Sequence, residues 1–262
     1  MARRDKQYFI GSLGPVILKM YGKREILTSR MVPGTMKQTP ATKQISSEFG
    51  VASKLSRYIR TMYKNEIGTY RDAEMHNRLT VEVHHSLLAC KNNETGVYEF
   101  EEDSFESLNT VEHLIKSQVR KRIYRQPSVI RDGKILRVRF EQDNQRPLVQ
   151  FPGMSTSCRL TVSVALFRLG DGLMITAPMN ERKLLGKFKP LNEDLEFAFT
   201  IPPGCLCVVS LFLRYYKAST LIVGKKWHAG AICSAMITPG VFEDDQQHHW
   251  LKMPDLHFIP PT

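Results

Sequence analysis

Hydrophobic and polar positions follow two textures along the 262 residues. Up to about residue 127, short β-prone runs and helical periodicities alternate. From Ser128 onward, strand patterns follow one another. Val16 to Tyr21 and Ile26 to Met31 are β-prone, Gly22-Lys23 sits between them and Pro33-Gly34 closes the unit, which predicts a β-hairpin. Thr39 is a candidate N-cap, and Pro40 suits a first helical position, where its missing N–H costs nothing. Ile45, Phe49, Ala52, Leu55, Ile59 and Met62 then recur in steps of four and three, the stripe of an amphipathic helix. Gly50 weakens that helix by about 1 kcal/mol relative to Ala and marks the expected point of a kink. Between Tyr70 and Cys90, Met75, Leu79, Val83 and Leu87 have helical spacing, while Leu79, Val81 and Val83 also alternate; the length favours a helix. After the acidic stretch Glu99 to Asp103, the series Phe105, Leu108, Val111, Ile115 and Val119 predicts one more short helix.

The second half is expected to be all strand. Asp132-Gly133 is a turn signal, and Ile135 to Phe140 alternates. Leu160, Val162, Val164 and Leu166 line one face of a strand, and Thr161, Ser163, Ala165 and Phe167 the other. Gly170-Asp171-Gly172 turns into Leu173 to Ala177, and Leu195 to Thr200 runs into the turn Pro202-Pro203-Gly204. Cys205 to Tyr216 is apolar on both faces, the mark of a central, fully buried strand. Leu221 to Val223 and Ala229 to Ile237 complete the set. The fold class is therefore α+β: an N-terminal β-hairpin and helices followed by an antiparallel β-sandwich. The division is 1–127 for the basic hairpin and helical region, 128–240 for the sandwich and 241–262 for an irregular C-terminal arm.

Charge sharpens this division. The chain carries 37 Lys and Arg against 26 Asp and Glu, a net +11. Residues 1–64 hold 13 basic and 3 acidic groups, so the first quarter holds nearly all of the excess. Its candidate contact residues are Lys19, Lys23, Arg24, Arg30, Lys43, Lys54, Arg57 and Lys64. A second cluster follows at Lys116, Arg120, Lys121, Arg122 and Arg125, more cations than the dipole of a last helical turn requires. Such a surface attracts polyanions or acidic protein faces. Tyr8, Phe9, Tyr21, Tyr58 and Tyr63 are interleaved with the cations, as in proteins that stack on bases.

Candidate chemistry is sparse. No phosphate loop or nucleophile elbow is present, and Gly224-Lys225-Lys226 lacks the required context. Cys205 and Cys207 are two apart on a strand and have no second pair, so core packing explains them better than zinc. Five unpaired cysteines fit a reducing cytoplasm. The pairs His84-His85 and His248-His249 diverge on any regular backbone, which leaves Glu243 to His249 as the single conceivable metal patch. No metal and no cofactor are expected. Phe197 to Leu213 and Trp227 to Phe242 are the longest uncharged runs, but both contain Pro and Gly, so no membrane span is expected. Arg3-Arg4 before the apolar Tyr8 to Leu18 suggests a leader, but Gly11, Gly14 and Pro15 interrupt it and Lys19 ends it.

Gly14-Pro15-Val16-Ile17, Tyr21-Gly22-Lys23, Ser29-Arg30 and Lys37-Gln38-Thr39-Pro40-Ala41-Thr42, with Phe49 in the helix, carry a family resemblance. Over about 50 residues the chain resembles an uncharacterised group of Bacteroidetes-type proteins, with a basic hairpin, a Lys-x-Thr-Pro-Ala helix and a C-terminal β-sandwich. The resemblance implies a bacterial protein with this order of elements and lends no catalytic residue; Met31-Val32-Pro33 stands where Arg-Ser-x-Pro is expected. The leading expectation is a non-enzymatic structural or interaction protein whose basic N-terminal region docks on a protein partner or self-associates. The alternative is a nucleic-acid-binding protein using Lys54, Arg57, Lys64 and the cluster from Lys116 to Arg125 on phosphates.

Overall fold

The stretch that is apolar on both faces is the centre of the structure. The computed structural model describes residues 3–5, 8–21, 24–30, 39–68, 72–141, 146–185, 194–242, 249–254, 256 and 258. The chain forms two compact units, residues 1–46 and 47–262.

The first unit is a single antiparallel sheet in the order β1 (Arg3–Asp5), β2 (Tyr8–Leu13), β3 (Val16–Tyr21) and β4 (Arg24–Ser29). The expected hairpin is its second half, in register from Val16↔Ser29 to Tyr21↔Arg24. The apolar run that suggested a leader is strand β2, and Gly14 turns it into β3 at a φ of 59° that favours glycine. Lys23 and residues 31–38 lie outside the described residues. Helix α1 (Pro40–Met62) starts as the capping signal requires: the Thr42 N–H donates to Thr39 Oγ1 at 3.1 Å, and the Lys43 N–H to the Thr39 carbonyl. It runs without a break through Gly50.

In the second unit, α1 is followed by α2 (Lys64–Ile67) and α3 (Met75–Cys90). Ten strands then follow: β5 (Ser128–Asp132), β6 (Ile135–Phe140), β7 (Ser157–Arg168), β8 (Leu173–Thr176), β9 (Asn180–Leu185), β10 (Leu195–Thr200), β11 (Leu206–Lys217), β12 (Thr220–Leu221), β13 (His228–Ile237) and β14 (Leu251–Lys252). Strand β11 lies between β7 and β13, in register with β7 from Leu206↔Phe167 to Tyr216↔Ser157. Strands β8 and β9 both add to the far edge of β7, while β10, β6 and β5 form a separate sheet.

This arrangement makes three layers. One face of the large sheet (Leu160, Val162 and Val164 with Val209, Leu211 and Leu213) packs on Leu136, Val138, Phe140, Phe197 and Phe199 of the small sheet. The opposite face (Ala165, Phe167, Leu206, Val208 and Phe212) packs on Ala52, Leu55, Ile59, Leu79 and Val83 of α1 and α3. Being covered on both sides is why the β11 sequence is apolar on both faces. A β-bulge sets the alternation of β13: Val209 pairs with Ser234 and Ser210 with Ile232, leaving Cys233 as the extra residue. The bulge reverses parity, so Ala231 lies against the first core while Ile232 and Ala235 lie in the second.

Three expectations are corrected. The stripe of α1 is buried only from Ala52 onward; Ile45 and Phe49 are exposed. The helix expected over Phe105 to Val119 is instead two 3-10 turns, Glu106–Thr110 and Val119–Lys121. Between them the backbone pairs with the edge of β13: the His113 N–H donates to the Gly230 carbonyl at 2.7 Å, and the Ile232 N–H to the Val111 carbonyl at 3.0 Å. The C-terminal arm is partly ordered by packing: β14 pairs with β8, Met253, Leu256 and Phe258 are buried, and the Tyr58 hydroxyl donates to the Pro254 carbonyl at 2.7 Å.

Helix and sheet are also joined by the buried Tyr63 hydroxyl, which donates to the Val208 carbonyl at 2.5 Å. Tyr63→Phe removes one hydrogen bond and little volume, so a loss of about 1 kcal/mol is expected. Leu160→Ala empties space between the two sheets and is expected to cost about 2–5 kcal/mol. Urea denaturation of the two variants checks this order.

Candidate functional site

The sequence singled out cations, and the structure distributes them over two places. On the N-terminal sheet, Lys19 stands opposite Ile26, and Arg24 opposite Tyr21. Strand alternation therefore puts Lys19 and Arg24 on one face, with Ile26 between them along the sheet. Arg30 follows β4, and its N–H donates to the Pro15 carbonyl at 2.6 Å. Lys43 lies in the first turns of α1, and all four side chains are exposed. Among the described residues none of the four has a carboxylate within ion-pair distance.

Apolar side chains share this sheet. Phe9, Leu13 and Leu27 are 54%, 61% and 63% exposed, and Ile26 on the other face is 39% exposed. The register Gly11↔Leu18↔Leu27 puts Phe9, Leu13, Leu18 and Leu27 on one face, where Leu18 is buried and the other three are exposed. A β-sheet normally buries one face against another layer. Within residues 1–46 there is no second layer among the described residues, and the described start of α1 is exposed.

The second unit carries the remaining cations. Lys54 and Arg57 sit on the exposed side of α1, with the Arg57 guanidinium 5.3 Å from the Tyr58 ring centroid, and Lys64 opens α2. Lys116, Arg120, Lys121 and Arg125 are exposed, and Arg122 is half-buried, all on the segment that replaces the expected helix. That segment is pinned from below. The buried Glu112 carboxylate accepts the Val119 N–H at 2.9 Å and the Arg120 N–H at 3.3 Å. Arg78 donates to the Glu112 carbonyl at 3.1 Å and to both carboxylate oxygens of Asp72, and Asp72 Oδ2 accepts the Ile115 N–H. Burial pushes the Glu112 carboxyl above its usual range against the pull of those N–H groups. At Asp72 burial acts in the same sense, but the Arg78 hydrogen bond and the Ile115 N–H offset it and hold the carboxyl below that range.

The structure also brings in residues that sequence reasoning left aside. The Lys226 carbonyl accepts Ser117 Oγ at 3.2 Å and Arg122 Nη2 at 3.3 Å, which sets the exposed Lys225-Lys226 turn beside the second cluster. Arg120 and Glu112 line a cleft of about 260 Å3 floored by Val119, Leu211, Ile232 and the bulged Cys233. Burial pushes the Cys233 thiol up to about 12.

On the other side of this edge, His113 stacks on Phe212 at 5.5 Å and borders a cavity of about 20 Å3 with Glu66 and His228. That is room for about one water molecule. Neither His113 ring nitrogen has a protein partner, and burial pushes its pKa down to about 3. Arg214 holds Glu66 at 2.9 Å. No motif could reveal this group, because positions 66, 113, 214 and 228 meet only through the sheet register. Among the described residues, no three His, Cys, Asp or Glu side chains are placed to hold a metal ion. Most of the one conceivable metal patch, residues 243–248, lies outside the described residues. No described helix is long and apolar enough to cross a membrane. Comparison of the chain with protein-family models, curated proteins and solved structures gave no match.

His113 is neutral when folded and takes up a proton on unfolding between about pH 6.5 and pH 3. Its contribution to stability is thus complete above about pH 6.5 and is lost as pH falls toward about 3. The raised carboxyls of Glu66 and Glu112 act in the opposite sense. His113→Phe, which keeps a ring against Phe212, is expected to flatten the fall in stability between pH 6.5 and pH 4. Denaturant midpoints across that range test it. For the cationic segment, Glu112→Ala is expected to raise amide hydrogen exchange at Val119 and Arg120 while exchange in β11 stays slow.

Proposed function

We propose that the protein is a non-catalytic docking protein whose N-terminal unit engages a partner protein presenting carboxylates and apolar side chains. The observation that carries this reading is a sheet with no second layer among the described residues of its unit: Phe9, Leu13 and Leu27 are exposed on one face, and Lys19 and Arg24 on the other, with Arg30 after β4, have no carboxylate partner among the described residues. Apolar contacts would supply the free energy of association. The cations would supply steering and register, because exposed charges contribute more to encounter rate and orientation than to affinity. Residues 1–46 hold nine basic and two acidic groups, which favours an anionic partner.

The test uses the full chain and a synthetic peptide of alternating Glu and Leu as the probe. Binding that weakens as salt rises is expected. The triple change Lys19→Glu, Arg24→Glu, Arg30→Glu is expected to weaken it by at least about tenfold, about 1.4 kcal/mol. Leu13→Ser with Leu27→Ser is expected to weaken it comparably at all salt concentrations. Slow amide hydrogen exchange across the β3–β4 pairs checks that the N-terminal sheet of the variants remains folded. Failure to bind the peptide, or binding indifferent to both sets of changes, overturns the reading. So does tighter binding of single- or double-stranded nucleic acid through the same residues.

A further inference from the structure

The proposed docking reading leaves the identity of the partner open, and the second unit itself displays a surface with the required chemistry. Between Lys91 and Lys116 the sequence contains no Lys or Arg, and residues 94–106 hold Glu94, Glu99, Glu101, Glu102, Asp103 and Glu106. All six are exposed. Among the described residues one of them pairs, Glu102 with Arg131 at 3.8 Å. Glu99, Glu101 and Asp103 line a cleft of about 490 Å3 whose wall continues through Ala89 and Cys90 at the end of α3 and through Lys91, a cation already paired with Glu48 at 2.6 Å. Carboxylates are the complement of the sheet face that presents Lys19 and Arg24.

The magnitudes match. Residues 1–46 carry a net +7, and residues 94–106 carry −6. Two copies meeting sheet to sheet would set like charges face to face, which costs free energy at close range. A sheet meeting the acidic surface of another copy neutralises both. We propose that the N-terminal sheet of one copy docks on the acidic surface at residues 94–106 of a second copy. Such a contact uses different surfaces on the two partners, so it closes as a reciprocal pair or a larger ring, or runs on as an open chain. This inference rests on the docking reading and names its partner.

Sedimentation velocity on the full chain at about 50 mM and about 500 mM salt tests it, since screening lengths of roughly 14 Å and 4 Å bracket exposed ion pairs. At low salt the mean size is expected to exceed the monomer and to rise with protein concentration; at high salt it falls toward the monomer. The front variant Lys19→Glu, Arg24→Glu, Arg30→Glu and the back variant Glu99→Lys, Glu101→Lys, Asp103→Lys are each expected to be monomeric at low salt. An equimolar mixture of the two is expected to form a one-to-one pair, because the unaltered sheet of the back variant meets the unaltered acidic surface of the front variant. A monomeric wild type at both salt concentrations overturns the proposal, and peptide binding would then still uphold the docking reading. Assembly that ignores the back variant, or that appears only on adding RNA, also overturns it.

Discussion

The pairing of β7 with β11 is the constraint on which the second unit depends. Both strands are twelve residues long and nearly all their side chains are buried, on one face by the small sheet and on the other by α1 and α3. A shift of one residue in this register would move Val162, Val164, Val209 and Leu211 from one core into the other. Each core therefore fixes the register for its neighbour. The positions that matter elsewhere inherit this alignment: β13 takes its place from β11, and the backbone at Val111 to His113 takes its place from β13. The cationic segment from Lys116 to Arg125 is therefore held by a chain of pairings that begins in the centre of the sheet.

Much of the fold was legible because burial on both faces leaves a continuous apolar run, which β7 and β11 both show. Helix α1 was legible at its start, where Thr39 and Pro40 act locally. The failures occur where a distant partner decides. Phe105 to Val119 has helical spacing, yet its backbone bonds to β13 and its periodicity yields to that pairing. Cys233 is unremarkable in sequence because a bulge depends on the neighbouring strand. At residue 127 helical texture in the sequence gives way to strands. Ala52, Leu55, Leu79 and Val83 share one core with Phe167 and Phe212 across that boundary. The cations of the candidate surface could be named from the sequence, whereas their grouping with the Lys225-Lys226 turn could not, since Ser117 and Arg122 reach it from more than 100 positions away.

Charge is handled differently in the two units. In the second, carboxylates are matched to specific cations: Asp72 to Arg78, Glu66 to Arg214, Glu48 to Lys91 and Glu181 to Arg159. Several are half-buried and serve to hold backbone turns. In the first unit, Lys19, Arg24 and Arg30 have no such partner among the described residues. Solvated cations cost little, so folding alone gives no reason to neutralise them.

The order of layers also bears on biosynthesis. Leu55 and Ile59 pack against Leu206, Val208 and Phe212, which follow about 150 residues later in the chain. At a translation rate of about 5–20 residues per second, that half of the core waits roughly 8–30 s for its counterpart to leave the ribosome. During this interval the apolar side of α1 has no sheet to cover it, and this nascent segment is where chaperone protection has the most to guard.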